Sequence, residues 1–390
     1  MINIKSDELI KTIFLVFIVH FLSNNIAFFL FLKNGYYNLE RVLYKLDIYN
    51  AIYSYFSFFI FFVFFVFFIF SFLITKKRIK PIYINEYKYS LFILILQCAY
   101  FIINIIYNTN VAGHPGRKDM PSAISLFFVF FNPDLLFMIY LFFSKETKIK
   151  KLNIIIYLIS MSARGWMAGI LYIFLYYFIS KKYKLKTYVY LITILSIIIL
   201  LLPFIINIKW YLRSDDTTSF FDVIFNIKHY SVSLLNSLEY LLLRLQHISS
   251  LLYISDNINS INTDAIKPYW AEGNIQLFFE KIFNIELQPL SKYIVTDIMG
   301  FKDAQWNVHT GVASWFLINP YDLFIFLYVF FLIFMINRLP ISYHSNLMQS
   351  FILYLTFSRL FVGWTAAYIN LIMSLIITMF IFSFMKLKTR

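Results

Sequence analysis

Four arginines and two histidines are the side chains best placed to do chemistry in this sequence. Arg164 stands in Ser162-Ala163-Arg164-Gly165, and Arg359 follows Ser358. Arg213 lies in Trp210-Tyr211-Leu212-Arg213-Ser214-Asp215-Asp216, and Arg244 follows a leucine run. A guanidinium is planar and permanently charged, and it grips phosphate oxygens through two parallel N–H bonds, so these residues point to phosphate or diphosphate capture. An arginine inside a membrane costs about 2.5 kcal/mol or more unless it meets a partner or a wet cavity. The competing readings are snorkelling to headgroups for Arg164 and Arg359, and an interfacial anchor paired with Asp215 and Asp216 for Arg213. His309, in Trp306-Asn307-Val308-His309-Thr310, has the group to take a proton from an attacking hydroxyl. A solvated loop histidine is its competing reading, and His247, one turn after Arg244, is a rival for the role. Asp134, in Asn132-Pro133-Asp134, is a carboxylate within an apolar stretch, either functional or the structural partner of an arginine. Asp322 caps a helix start. Asp215 and Asp216 have no third acidic neighbour, and the single Cys98 excludes a thiol site, so no metal and no cofactor are expected. His20 and His114 carry no assignment from sequence.

The elements that must hold these groups are membrane helices. Hydrophobic residues make up 61% of 390, and aromatics 22%, with 48 Phe and 30 Tyr. Soluble chains run at roughly 45–50% apolar, so lipid must cover much of this surface. The net charge of +14 sits in short basic clusters between apolar runs, which anchors a membrane protein and gives no patch for nucleic acid. The first apolar stretch lacks a small-residue cleavage site and reads as an uncleaved helix.

At roughly 20 residues per span, the sequence predicts helices at 12–32, 51–75, 88–106, 123–143, 187–207 and 318–337. Basic clusters at 76–80, 145–151, 181–186 and 386–390 belong in the cytoplasm, with both termini. Regions 152–180 and 347–385 have cytoplasmic charge at both ends, so each is expected to enter and return, turning at Arg164 and at Ser358-Arg359. The arm before Arg164 has about 12 residues, or ~18 Å of helix, short of a ~30 Å core, which places Arg164 in a crevice below the outer surface. The expected architecture is an all-α polytopic membrane protein of about ten transmembrane helices. Residues 1–207 hold the N-terminal helices, with a short hairpin at 152–180. Residues 208–317 form a large periplasmic loop and 318–390 the C-terminal helices. The loop is too long to be passive. Its clearest element is an amphipathic helix over 229–254. Leu234, Leu238, Leu241, Leu245, Ile248 and Leu252 form one face. Ser233, Ser237, Tyr240, Arg244 and His247 form the opposite stripe, so the helix either lies on the membrane or caps a cavity.

The motifs of soluble catalysts are missing: no GxxxxGK[ST], no GxGxxG after a strand, no HExxH and no GxSxG. No cytoplasmic loop could hold a nucleotide-binding domain. Chemistry would therefore face outward, on a substrate that carries its own activation, and a lipid-linked diphosphate glycan meets that requirement.

The stretch Leu158-Ile159-Ser160-Met161-Ser162-Ala163-Arg164-Gly165, followed by an apolar run and Lys181-Lys182, resembles the Ser-Arg-Gly element of Wzy-type O-antigen polymerases and the related O-antigen ligases. The layout is similar too: a large loop in the C-terminal half, a His-bearing segment re-entering the membrane, and a late helix pair with an arginine at its turn. In this chain Ala163 separates serine from arginine, and Asn319-Pro320-Tyr321-Asp322 stands where the family has a glycine. The resemblance implies a metal-independent glycosyltransferase of GT-C-like architecture in the bacterial inner membrane. It would move a growing glycan from undecaprenyl diphosphate to an incoming undecaprenyl-diphosphate repeat unit at the periplasmic face. Arg164, Arg244 and Arg359 would hold the diphosphate and stabilise the leaving group, and His309 would orient or deprotonate the acceptor hydroxyl. Arg213, Tyr240 and His247 would be further substrate contacts. The implied partners are the undecaprenyl-diphosphate-linked oligosaccharide, membrane lipid and a chain-length regulator protein. Two rivals remain: a ligase transferring glycan to lipid A-core, and a flippase for the lipid-linked oligosaccharide. Flippases usually show matching halves, which this sequence lacks.

Overall fold

Small and polar residues share the inward faces of the apolar helices with large apolar side chains, while many further Phe, Ile and Leu side chains face out. The computed structural model describes residues 7–40, 42–74, 81–107, 120–164, 168–180, 193, 196–211, 225, 227, 229–271, 287–302, 307–361 and 365–385. Arg213, Asp215, Asp216, His114, Gly165 and the basic clusters at 76–80, 181–186 and 386–390 lie outside the described residues.

In chain order, α1 (Asp7–Val16) runs through a π-helical segment (Phe17–Leu22) into α2 (Ser23–Asn34), and strands β1 (Tyr36–Leu39) and β2 (Val42–Lys45) follow. Then come α3 (Ile48–Ile74), α4 (Glu86–Tyr107), α5 (Ser122–Phe130), α6 (Pro133–Phe143), α7 (Lys148–Ala163), α8 (Ala168–Ser180) and α9 (Leu202–Tyr211). The rest are α10 (Tyr230–Leu245), α11 (Ile248–Asp256), α12 (Leu290–Tyr293), α13 (Val312–Ile318), α14 (Phe324–Arg338) and α15 (Asn346–Leu355). One further π-helical segment (Ile294–Ile298) follows α12, and another (Thr356–Phe361) precedes α16 (Thr365–Met385). Among the described residues four helical stretches, Asp7–Asn34, Glu86–Tyr107, Ser122–Phe143 and Thr365–Met385, are long and apolar enough to cross a membrane. Ile48–Phe64, Leu171–Ser180 and Phe324–Arg338 are apolar but shorter. The chain is that of a helical membrane protein, with one β-hairpin that the sequence reading missed.

Contacts divide the chain into two compact units: Met1–Ile82 with Leu243–Met379, and Tyr83–Leu242 with Phe380–Arg390. In the first unit, Thr12, Val16, His20, Asn24, Ala27 and Phe31 are buried on one helical face, whereas Phe14, Ile18 and Phe29 are exposed. Helix α3 repeats the pattern, with Ala51, Ser54 and Phe58 inward and Ile52, Phe56 and Phe59 outward. Small inward residues let helices approach closely, and the outward apolar surface suits lipid. Ser54 Oγ donates to the Leu251 carbonyl at 3.3 Å, joining α3 to α11.

Gly35 ends α2 at φ 71, its N–H on the Phe31 carbonyl at 2.9 Å, a left-handed stop that a glycine adopts without strain. The chain then pairs Tyr37 with Tyr44 and Leu39 with Val42 across a two-residue turn. Asp256, at the end of α11, accepts hydrogen bonds from the Tyr37 hydroxyl (2.8 Å) and from the Asn50 amide (2.9 Å), locking the hairpin and α3 to that helix.

The amphipathic helix expected over 229–254 is two helices. The break falls at Gln246-His247. Asn24 Oδ1 accepts from the N–H of His247 (2.7 Å) and of Ile248 (3.0 Å), and Gln246 Oε1 accepts from the N–H of Ser249 (2.9 Å). Periodicity cannot register such a stop, because the capping group comes from a distant helix. Ile248–Ser255 is buried all round, so α11 is a core helix and not the continuation of a surface stripe.

In the second unit, Gln97 Nε2 donates to Asn153 Oδ1 at 2.8 Å, Asn153 Nδ2 donates to the Ser90 carbonyl at 3.1 Å, and the Tyr140 hydroxyl meets Ser90 Oγ at 3.0 Å. These bonds tie α4 to α7 and α6 as interhelical polar contacts do in apolar surroundings. Asn132 caps α6 through the Leu135 N–H, with Pro133 at the first turn. Helices α7 and α8 pack together, and Gly169 makes that possible: a Cβ there would lie 2.9 Å from Met161 Cγ and 3.0 Å from Tyr157 Cε1. Lys150, read from sequence as cytoplasmic charge, is fully buried. Its Nζ donates to the Ser144 carbonyl and the Tyr176 hydroxyl, both at 2.7 Å, and that hydroxyl in turn donates to Glu146 at 2.7 Å.

Replacing Asn24 by Ala strips two buried N–H groups of their acceptor. It is expected to destabilise the protein by about 2 kcal/mol, read as a lowered thermal unfolding midpoint in detergent. An unchanged midpoint would show that the break is held by something else.

Candidate functional site

In the first unit the β-hairpin turn, the end of α10, the start of α11 and the segment before α13 bring Arg244, His247 and His309 together with Glu40. Arg244, in the last turn of α10, donates from Nη1 to Glu40 Oε1 at 2.7 Å and from Nη2 to Glu40 Oε2 at 2.8 Å. The pair stays half open to solvent, with side-chain exposures of 38% and 16%. Glu40 sits in the hairpin turn at φ 47. The left-handed region costs a residue with a Cβ roughly 1 kcal/mol, and here it aims the carboxylate at the guanidinium.

His309 precedes α13 and keeps a partly exposed edge. Burial among its neighbours, and secondarily the Arg244 charge, lower its pKa to about 4. His247, at the helix break, is fully buried. Burial first, then His309, then His20, lower its pKa to about 3. Both imidazoles are therefore neutral at physiological pH, the form that accepts a proton. Neither ring nitrogen of His247 has a hydrogen-bond partner among the described residues. Thr310 and Ser314, at the entry to α13, are also buried with their hydroxyl oxygens unpartnered.

Arg359 lies in the π-helical segment against which α13 packs, and its Nη1 donates to the Ala367 carbonyl at 3.1 Å. Segments of π-helix are short, strained and frequent at functional sites. Asp322 accepts from the Phe324 N–H at 3.0 Å, capping the start of α14. An open cleft of about 360 Å³ lies beside the hairpin. Both of its carboxylates are engaged: Asp256 accepts from Tyr37 and Asn50 Nδ2, and Asp47 accepts from the Asn50 N–H.

Arg164 and Tyr240 belong to the second unit. Arg164 is buried at the end of α7, and its fork is engaged. Nη1 and Nη2 donate to the two oxygens of Asp134 at 2.9 and 2.8 Å, Nε donates to the Ser160 carbonyl at 3.1 Å, and the guanidinium lies 5.0 Å from the Tyr100 ring centre. Asp134 is thus the structural partner that sequence offered as one alternative. The Tyr240 hydroxyl is bonded to Lys209, and its ring packs edge-on against Trp210. Neither Glu40 nor Asn24 was singled out from sequence. Asn24 does carry a signal, because with His20 it makes an i, i+4 polar pair inside an apolar helix. No group of three or more His, Cys, Asp or Glu side chains among the described residues is placed to hold a metal.

Compared with protein-family models, with curated proteins and with solved structures, the chain matches none.

Two outcomes follow from these groups. Asp134→Leu alone leaves a buried guanidinium unpaired and should destabilise by about 3 kcal/mol, whereas the double change Asp134→Leu with Arg164→Met should be much milder. Equal losses in a thermal double-mutant cycle would deny the pairing. As for pH, unfolded histidines titrate near 6.5, while folded His309 and His247 titrate well below. The unfolded chain then binds more protons as pH falls through 6.5, so the stability contributed by the neutral imidazoles is complete above that value and declines below it. Unfolding midpoints from pH 8 to 4 should stay level at first and then drop. A midpoint that rises on acidification would reverse the assignment.

Proposed function

We propose that this chain polymerises lipid-linked oligosaccharide repeat units at the periplasmic face of the bacterial inner membrane. About ten helices cross that membrane, and both termini are cytoplasmic. The growing glycan passes from undecaprenyl diphosphate to the nonreducing-end sugar of an incoming undecaprenyl-diphosphate repeat unit. The observation that carries this reading is the meeting of a half-exposed Arg244 with the neutral imidazole of His309 in one unit of a helical membrane protein. A donor that is already a glycosyl diphosphate needs two things from the protein: a cation for the leaving diphosphate and a base for the acceptor hydroxyl.

In this mechanism His309 accepts the proton of the acceptor hydroxyl as its oxygen bonds to the donor's anomeric carbon. The bond from that carbon to the diphosphate oxygen breaks, and undecaprenyl diphosphate leaves as the anion. Arg244, freed from Glu40, and Arg359 stabilise the charge on the leaving oxygen. Arg164, its fork engaged by Asp134, has the role here of holding the end of α7.

A strain lacking the gene should make lipopolysaccharide capped with a single repeat unit. A ladder of normal length would sink the proposal. Bare core with accumulated lipid-linked polymer would instead identify a ligase, and a repeat unit trapped inside the cell a flippase. His309→Asn should lower the in vitro polymerisation rate by roughly a hundredfold or more, with donor binding retained. Full activity in that variant would exclude His309 as the base.

A further inference from the structure

His20 is the one histidine on the long N-terminal helix, at the π-helical segment between α1 and α2, and it is buried with neither ring nitrogen partnered among the described residues. It lies within electrostatic range of His309, as His247 does, and His247 and His20 are within range of each other. The Tyr354 ring of α15 packs beside it at 6.0 Å. Four imidazole nitrogens and the hydroxyl oxygens of Thr310 and Ser314 are therefore buried without hydrogen bonds in one unit, on elements that converge on His309. A buried polar atom without a partner costs roughly 1–3 kcal/mol, and native proteins keep few of them. Asn24 bonds the backbone at both His20 and His247, and α11 packs against α13, so these groups lie on elements held together, and their open hydrogen-bonding capacity suits a polar ligand.

The chemistry of the group selects the ligand. A neutral imidazole offers one donor and one acceptor, and a hydroxyl offers both. The nearest guanidinium, Arg244, is already balanced by the Glu40 carboxylate. Such a surface complements groups that donate and accept at once and carry no charge. We infer that His20, His247, Thr310 and Ser314 form, beside His309, a binding site for the hydroxyl groups of an uncharged sugar ring. This rests on the reading of the same centre as a glycan transferase and deepens it. The site takes the acceptor sugar, its own side chains carry no formal charge, and the diphosphate is left to Arg244 and Arg359. The N-terminal helix, through His20, becomes part of the substrate site.

The test uses the full chain in lipid nanodiscs and saturation-transfer difference NMR with three probes: methyl α-glucoside, methyl N-acetyl-α-glucosaminide and methyl α-galacturonide. The two neutral glycosides should receive saturation, and the anionic one about fivefold less or weaker. His20→Phe and His247→Phe should each cut transfer to the neutral probes by roughly fivefold or more. Each should also raise the unfolding midpoint by about 2 °C, because a buried unpartnered polar group is replaced by an apolar one. His20→Gln and His247→Gln, which keep a donor and an acceptor, should retain most of the transfer, and they stand in should a Phe variant fail to fold. Absence of transfer from both neutral glycosides to the wild type, equal transfer from the anionic one, or unchanged transfer in the substituted proteins would overturn the inference. Native mass spectrometry with undecaprenyl diphosphate separates the two claims. Lipid bound without sugar refutes this site and spares the transferase reading, whereas sugar bound without lipid does the reverse.

Discussion

The placement of the first unit's chemistry depends on one carboxamide. Asn24 accepts the N–H groups of His247 and of Ile248, the first residue of α11, and donates to the His20 carbonyl one turn back in its own helix. Without that acceptor, the apolar face from Leu234 to Leu252 would favour one uninterrupted helix. Arg244 and His247 would then share a single straight stripe. With it, α10 stops after Arg244, α11 starts after His247, and every residue from Ile248 to Ser255 is buried. The same side chain touches the His20 turn and the His247 backbone, so the two unpartnered imidazoles are fixed by one group. In apolar surroundings a freed backbone N–H has no water to turn to, and that is why one side chain can decide where a helix ends.

The same scarcity of water explains how the charges are kept. Lys150 is satisfied by a carbonyl and a tyrosine that passes the charge on to Glu146. Arg164 spends its whole fork on Asp134 and a carbonyl, at 4% side-chain exposure. Breaking that pair strands a buried charge, at several kcal/mol. Arg244 is paired in the same bidentate way, but at 38% exposure, where an ion pair contributes only about 0.2–1 kcal/mol. Two arginines that look alike in sequence are therefore unlike in the freedom to change partners.

Sequence reached the elements whose signal is local. The apolar runs at 88–106 and 123–143 fall within helical stretches long enough to cross a membrane, and the first run lies inside Asp7–Asn34. The end of α7 at Arg164 was marked by small residues and charge, whereas the turn expected at Ser358-Arg359 is not seen there, the π-helical segment running through both residues. Asp322 was legible as a cap. What sequence missed depends on contacts between distant segments. The stop at His247 is imposed from Asn24, and the occupation of Arg244 comes from Glu40 in a hairpin that has no Gly or Asn at its turn to announce it. The role of His20 was illegible alone, since a lone histidine in an apolar helix is ambiguous until its neighbours are known. Yet Thr12, His20 and Asn24 lie eight and four residues apart on one face of a largely apolar helical stretch, and that stripe marked the inward face of α1 and α2.

The Glu40–Arg244 pair is where structure and chemistry bear on each other most directly. A left-handed glutamate costs roughly 1 kcal/mol in backbone strain. A half-exposed ion pair returns about the same amount. The pair is consequently close to balance, formed in the absence of substrate but offering little resistance to a stronger anion. A diphosphate carries more charge than a carboxylate and matches the same fork, so on the proposed reading it would compete with Glu40 for Arg244. A single residue held in an uncommon backbone conformation would thus guard the arginine until the anion of the proposed transfer arrives.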